Sequence, residues 1–253
     1  MKFKDFYASL EALAPREGSA AWDNDGVMVK LPDKNEVERV LIALDPTEKA
    51  IKYAAQGGFD VLLTHHPLIF KGLKSLSGED TVSSRVLSAL GAGVTVVSLH
   101  TRLDSARGGV NDALLDAAGA TVCGVFGDAD DPEIGRLGEY SSPMDVTVLA
   151  ERIKEATGAP FVRVYGTGEV KKAAFLGGSG KDFVVPAMAA GADVLVTGEV
   201  GYNAAEAAAE AGLCIIEAGH YHTEAPVCSV LKDHVDSLGL YAEIYEYCPY
   251  TAK

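Results

Sequence analysis

"GGFDVLLTHH", Gly57 to His66, and "AGADVLVTGE", Ala190 to Glu199, are the two stretches on which the fold turns. Each passes from small residues through an aspartate into an apolar run that stops at polar groups. Asp60 aligns with Asp193 and Thr64 with Thr197, both at an offset of 133. A short, continuous apolar run between turn signals is the pattern of a strand buried on both faces. The same offset sets the end of "LIALD" on the end of "AFLGG", Asp45 on Gly178. One strand further, "LGAGVTVVSLH" matches "AEAGLCIIEAGH", and His100 is followed four residues later by Asp104, as His220 is by Glu224. Thr64 to His100 spans 36 residues and Thr197 to His220 spans 23, so a 13-residue excess around "KGLKSLSGEDTVSS" breaks the offset. The echo predicts two related α/β domains that face one another.

Helix signals fill the intervals. Phe3, Phe6, Leu10 and Leu13 mark one apolar face of an opening helix that Pro15 ends. "PTEKAIKYAAQGG" reads as a helix closed by glycines, "VSSRVLSALGAG" as another and "GGVNDALLDAAGA" as a helix after a glycine turn, and in the second half a helix near "MDVTVLAERIKEATG" and a strand near "PFVRVYG" come before "KKAAFLGGSG" and "KDFVVPAMAAG". Strands alternating with helices imply mostly parallel sheets covered on both faces. "GDADDPEIGRLGEYSSP", rich in acidic residues, Gly, Ser and Pro, reads as the passage between domains. The expected domains are therefore 1–126, carrying His65, His66 and Asp104, and 127–253, carrying His220 and Glu224. The C-terminal segment is able to pack back on the first.

With 253 residues and 48% hydrophobic content, the chain can bury one large core or two ordinary ones. Its net charge of −14 disfavours nonspecific adhesion to nucleic acid or anionic membrane. The N-terminal "MKFKDFYASLEALAPREG" lacks a secretory apolar region, and no segment approaches the roughly 20 apolar residues that span a bilayer. A cytoplasmic protein is the expectation. Cys123, Cys214, Cys228 and Cys248 are scattered and form no CxxC pair, so metal chemistry would fall to His, Asp and Glu.

In an open parallel sheet, functional groups gather beyond the carboxyl ends of the strands. His65, His66, His100, Asp104, Glu199, His220, His222 and Glu224 all follow such ends, and among the histidines only His234 does not. Imidazole with carboxylate suits zinc, manganese or iron. Neighbouring side chains on extended backbone point apart, so His65 and His66 are expected to reach two ions, one each. That favours a dinuclear site bridged by a carboxylate and a hydroxide. Thr223 reads as a helix N-cap, which places Glu224 in the first turn of the helix containing "PVCSVLKDHV". "GGSGKD" misses the GxxxxGK[ST] spacing and reads as a tight strand-to-helix turn. The closing tyrosines, Tyr241, Tyr245, Tyr247 and Tyr250, fit an edge strand or subunit contact.

Together "WDNDGVMV", "ALDPT", "LLTHHPLIF", "HTRLDSARGGVNDAL", "GADVLVTGE" and "AGHYHTEAP" resemble the Nif-three-like family of dinuclear-metal proteins, widely labelled GTP cyclohydrolase 1 type 2 homologues. The resemblance implies two α/β domains with the metal site in the cleft between them, and a toroidal homohexamer. By motif position it implies His65, His66, Asp104, His220 and Glu224 as ligands of two divalent ions. His100, His222 and Glu199 then become supporting or substrate-facing groups, with His100 and His222 as proton carriers. The chain is too short for the third domain that some members insert, and its "GYN" puts Asn203 where many members have a histidine. The leading expectation is a metal-dependent hydrolase of a small molecule, with a metal-bridging hydroxide as nucleophile. Purine-ring opening in a GTP-like nucleotide and phosphoester hydrolysis both fit. The rival is a non-enzymatic metal-binding, scaffold or regulatory assembly protein.

Overall fold

A computed structural model describes residues 1–131 and 133–252. The chain forms two compact α/β units, each around its own sheet. The first unit comprises Met1–Ala106 with Cys228–Pro249, and the second Arg107–Val227 with the residues from Tyr250 on.

In the first unit the order is α1 (Phe3–Leu13), β1 (Gly26–Val29), β2 (Arg39–Ala43), α2 (Glu48–Gln56), β3 (Val61–Thr64), α3 (Thr81–Ala92), β4 (Thr95–Ser98) and α4 (Thr101–Ser105). The second unit follows with α5 (Val110–Ala117), β5 (Thr121–Phe126), β6 (Gly135–Asp145), α6 (Val146–Thr157), β7 (Arg163–Tyr165), β8 (Glu169–Ser179), α7 (Val184–Ala189), β9 (Val194–Glu199), α8 (Tyr202–Glu210), β10 (Cys214–Glu217) and α9 (His220–Glu224). The chain then completes the first unit through α10 (Val227–Ser237) and β11 (Tyr241–Ile244).

The first sheet runs β1-β4-β3-β2-β11. All its pairings are parallel except β1 with β4. Its inner strands β2, β3 and β4 are buried on both faces, and Leu41, Leu62 and Val96 meet Ile51, Ala54 and Ala89 of α2 and α3. The helices start where short polar groups cap them. Thr47 accepts from Ala50 N at the head of α2, and Asp80 accepts from Val82 N and Ser83 N at the head of α3.

The second sheet runs β5-β6-β8-β9-β10-β7. Here only β8-β9-β10 is parallel, and antiparallel strands flank it, so this sheet is mixed. One face packs Phe175, Val196 and Ile216 on Leu149 and Ile153 of α6, with Leu114 and Leu115 of α5. The other packs Leu176, Leu195 and Ile215 on Ala187 of α7 and on Ala205 and Ala208 of α8.

The stretch read as an inter-domain passage, 127–143, contains most of β6. Its Gly, Ser and Pro content hid a strand whose register breaks between Glu139 and Met144, letting "YSSP" leave the ladder. The units divide instead at Ala106/Arg107, because α5 packs on the second sheet. The returning C-terminal segment supplies β11, which pairs in parallel with β2 at the sheet edge. Among the described residues no helix is long and apolar enough to cross a membrane.

The sequence echo is an echo of pairing. Val40 sits opposite Val61 and Val61 opposite Thr95, while Ala173 sits opposite Val194 and Val194 opposite Cys214. Asp60 accepts from the amides of Glu38 and Arg39, and Asp193 from those of Lys171 and Lys172. Each carboxylate stitches the entry of its strand to the neighbouring strand, which explains why aspartate recurs there.

Candidate metal centre

In the first unit, β3 and β4 end side by side, Thr64 opposite Ser98 with their hydroxyls 2.9 Å apart. The chain continues from these ends into His65-His66 and Leu99-His100, so parallel pairing alone delivers three imidazoles to one place. One ring nitrogen from each of His65, His66 and His100 lies within 4.8 Å of the others. His65 is only 1% exposed.

Each ring is held from its Nδ1 side. His65 Nδ1 donates to the Leu99 carbonyl at 3.0 Å, His66 Nδ1 lies 2.8 Å from Asp45 Oδ1, and His100 Nδ1 lies 2.8 Å from Asp23 Oδ1. Acceptors at Nδ1 place the proton there and leave the Nε2 lone pair as the reactive face. Asp23 is itself fixed, its other oxygen accepting from Thr101 N at 3.1 Å and Thr101 Oγ1 at 2.7 Å. Burial alone would raise the Asp23 pKa, but the hydrogen bonds from His100 and Thr101 outweigh it and bring the carboxyl down to about 2.

Asp104 lies on α4, one turn beyond His100, with Oδ1 3.7 Å from His65 Nε2. Between them in sequence, Arg102 is fully buried and pairs with the enclosed Asp25 at 3.1 Å, which anchors α4 to the unit. The expected divergence of His65 and His66 does not occur: their ring centroids are 4.9 Å apart. Side-chain alternation holds only along extended strand, and β3 ends at Thr64, so both histidines lie in the bend beyond it.

In the second unit, β9 and β10 lead to Glu199 and His220. His220 Nδ1 lies 3.1 Å from Glu199 Oε1, and His220 Nε2 lies 3.2 Å from Glu224 Oε2. Histidine and glutamate share one face of α9 at the i, i+4 spacing. Glu224 is therefore the last residue of α9, not in the first turn of a longer helix, and α10 starts separately at Val227. Thr223 is not the N-cap, a position that Gly219 takes; its hydroxyl accepts from Gly178 N at 3.1 Å. Gly178, at φ +66°, lies against the pair so closely that a Cβ there would sit 2.3 Å from Glu224 Oε1 and 3.1 Å from His220 Nε2.

His222 points elsewhere, its Nδ1 3.3 Å from the Thr157 carbonyl and its ring 6.0 Å from that of Tyr250. Asn203 lies exposed in the first turn of α8. His234, on α10, meets Ser9 Oγ at 3.2 Å, and burial lowers its pKa. A cavity of about 230 Å³ opens beside His220, lined also by Phe161, Arg163, Glu199 and Tyr250.

Both clusters fit a divalent ion by their donor chemistry: imidazole Nε2 and carboxylate oxygens, with the imidazoles oriented by outer carboxylates or carbonyls. The orienting residues Asp23 and Asp45 were not among the sequence candidates, although both fall inside the quoted motifs "WDNDGVMV" and "ALDPT". Asp45 carried one further signal, its alignment with Gly178.

Two α/β units, each ending parallel strands in histidine and carboxylate, define a protein with His and Glu groups able to hold a metal ion. The chain belongs to the Duf34/NIF3 (NGG1p interacting factor 3) family, whose model matches residues 1–247. It is 34% identical over 241 residues to a "GTP cyclohydrolase 1 type 2 homolog" of Clostridium perfringens, covering 93% of this chain and 91% of that protein. It is 31% identical to the "Protein NIF3 homolog" of Schizosaccharomyces pombe, covering 81% and 78%. A crystal structure of a Staphylococcus aureus hypothetical protein superposes with a TM-score of 0.87 at 25% identity, covering 100% and 99%.

Proposed function

We propose that this protein is a metal-dependent hydrolase of small molecules, holding two divalent ions per chain through His65, His66, Asp104, His220 and Glu224. The observation that carries the reading is that His65, His66 and His220 each have Nδ1 set against an oxygen acceptor, which leaves Nε2 of each as the ligating nitrogen. Bound divalent ions supply Lewis acidity toward an electrophilic centre and lower the pKa of water. Asp45 and Glu199 hold the rings of His66 and His220, and Asp104 and Glu224 add carboxylate oxygens beside His65 and His220. His100, held by Asp23, accepts or returns a proton at Nε2, while His222 is the more remote proton carrier. The relatives' names favour a ring-opening step on a GTP-like nucleotide, and phosphoester hydrolysis is the other reaction such a site suits.

Elemental analysis of metal-replete protein tests the ligand set. Two ions per chain support it, with Glu224→Ala lowering occupancy of both and His65→Ala emptying one preferentially. One ion per chain in the wild type refutes the dinuclear reading. A panel of nucleotides and phosphoesters, with His66→Ala as control, then tests the chemistry. A second reading, a metal-binding assembly protein without turnover, is favoured by the family's description as an interacting factor. Bound metal with no turnover across the panel selects it. The resemblance also leads us to propose a homohexamer, which light scattering tests by mass.

A further inference from the structure

Trp22 is 60% exposed and Phe70 45% exposed, although both belong to segments anchored against the histidine cluster of the first unit. Their ring centroids lie 6.0 Å apart at 69°, so the two rings form an open corner. His100 closes its base. The His100 ring lies 6.4 Å from Trp22 and 6.1 Å from Phe70, edge-on to both, and 5.4 Å from His65 and 5.9 Å from His66. Anything seated on the corner therefore touches the wall of the imidazole cluster.

The corner is held in shape before anything binds. Beside Trp22, Asp23 accepts from Thr101, Asn24 Nδ2 donates to the Ile69 carbonyl next to Phe70, and Ala20 N donates to Thr101 Oγ1 at 2.9 Å. Both aromatic loops are thus tied to the strand ends that present the histidines. Two large rings exposed side by side and fixed in place form an apolar patch of the kind that marks a contact site.

The size of the corner indicates the occupant. Side chains of this type present roughly 150–250 Å² each, so the exposed fractions leave on the order of 200 Å². A stable protein interface needs about 800 Å² per partner. Two rings at a steep angle instead suit one flat ring, stacked on one face and edge-on to the other.

We propose that Trp22 and Phe70 form a stacking subsite for a planar heteroaromatic ring, such as a nucleobase, carried by the substrate. This deepens the hydrolase reading and rests on it only for what happens to the ligand after it binds.

Trp22 is the one tryptophan of the chain, so its fluorescence reports the corner directly. The probes are guanosine monophosphate and ribose 5-phosphate, which differ by the base. The expected result is a saturable change of Trp22 emission with the former and none with the latter. Phe70→Ala should weaken guanosine monophosphate binding about tenfold, as loss of a stacking partner does, and Phe70→Tyr should keep it. Phe70→Leu, which keeps apolar bulk without the ring, should behave as the alanine variant does. Equal responses to both probes, or Phe70→Ala binding within about twofold of wild type, overturns the subsite. A change in oligomer mass on Trp22→Ala also overturns it and assigns the corner to a subunit contact. Metal content measured on the same samples separates the two readings. Metal-loaded protein that ignores the base refutes the subsite alone, whereas base binding in protein that holds no metal supports the subsite and refutes the hydrolase.

Discussion

Replacing Gly178 by alanine separates what this glycine does for the backbone from what it does for the site. Its φ of +66° lies in the left-handed region, where an L side chain costs about 1–2 kcal/mol. The added Cβ would also sit 2.3 Å from Glu224 Oε1, about 1.1 Å inside the 3.4 Å at which ordinary contact begins. To relieve this the buried Glu224 carboxylate, whose other oxygen lies 3.2 Å from His220 Nε2, has to shift by about 1 Å. A binding constellation tolerates roughly 0.5 Å of displacement. The expected outcome is therefore a stability loss of about 1–2 kcal/mol in urea denaturation, together with a metal affinity at His220 and Glu224 lowered about tenfold or more. Gly158→Ala is the matched control, with φ +65° and nothing within 4 Å of the new Cβ. It should show the stability loss and leave zinc binding intact, read by competition with a chromophoric chelator. Zinc affinity in Gly178→Ala equal to that of Gly158→Ala would refute the argument that this glycine makes room for the carboxylate.

Other outcomes follow from the same contacts. Asp45→Ala frees the His66 ring from its 2.8 Å partner and should lower zinc affinity about 10- to 100-fold with little change in urea midpoint. Asp25→Ala removes the nearer carboxylate of the fully buried Arg102 and leaves it the Glu11 pair at 3.5 Å and the Ala14 carbonyl, so it should cost about 1–3 kcal/mol in the same denaturation assay; a loss under 1 kcal/mol would contradict it. Burial holds the folded-state pKa of His234 below its ordinary 6.5, so the unfolded chain takes up this proton more readily. Its share of stability is thus present above pH 6.5 and lost as pH falls through the lowered folded value, and His234→Gln should flatten the stability profile on that acid side.

Much of this architecture was legible because burial on both faces leaves a strong trace. "VLLT" and "VLVT" had no freedom to be polar, and the aspartate before each had a backbone duty that the pairing makes plain. What escaped was written in weaker signals. β6 escaped because a strand that breaks register around Pro143 carries turn residues inside it. β5 escaped because Gly124 interrupts "TVCGVF" at the point where its pairing with β6 shifts register. At the site, the histidines announced themselves by type and place, but their directions did not. His65 and His66 follow the apolar run of β3 without a turn residue between, so nothing in the sequence marks that the extended backbone ends at Thr64. Asp23 was invisible as a partner of His100 because 77 residues separate them, and no local spacing encodes such a contact.

The return of the chain to its first sheet has a consequence for synthesis. β2 occupies an interior position only because β11, some two hundred residues later, pairs along it. Until residues 241–244 have left the ribosome, β2 is an open edge of buried-type sequence, Val40 to Ala43, of the kind that templates association with other chains. The second unit completes its sheet from contiguous sequence, Thr121 to Glu217, and carries no such delay. Nascent chains stalled after the second unit should accordingly be protease-resistant there and aggregation-prone in the first, and the last strand acts as the closing step of maturation.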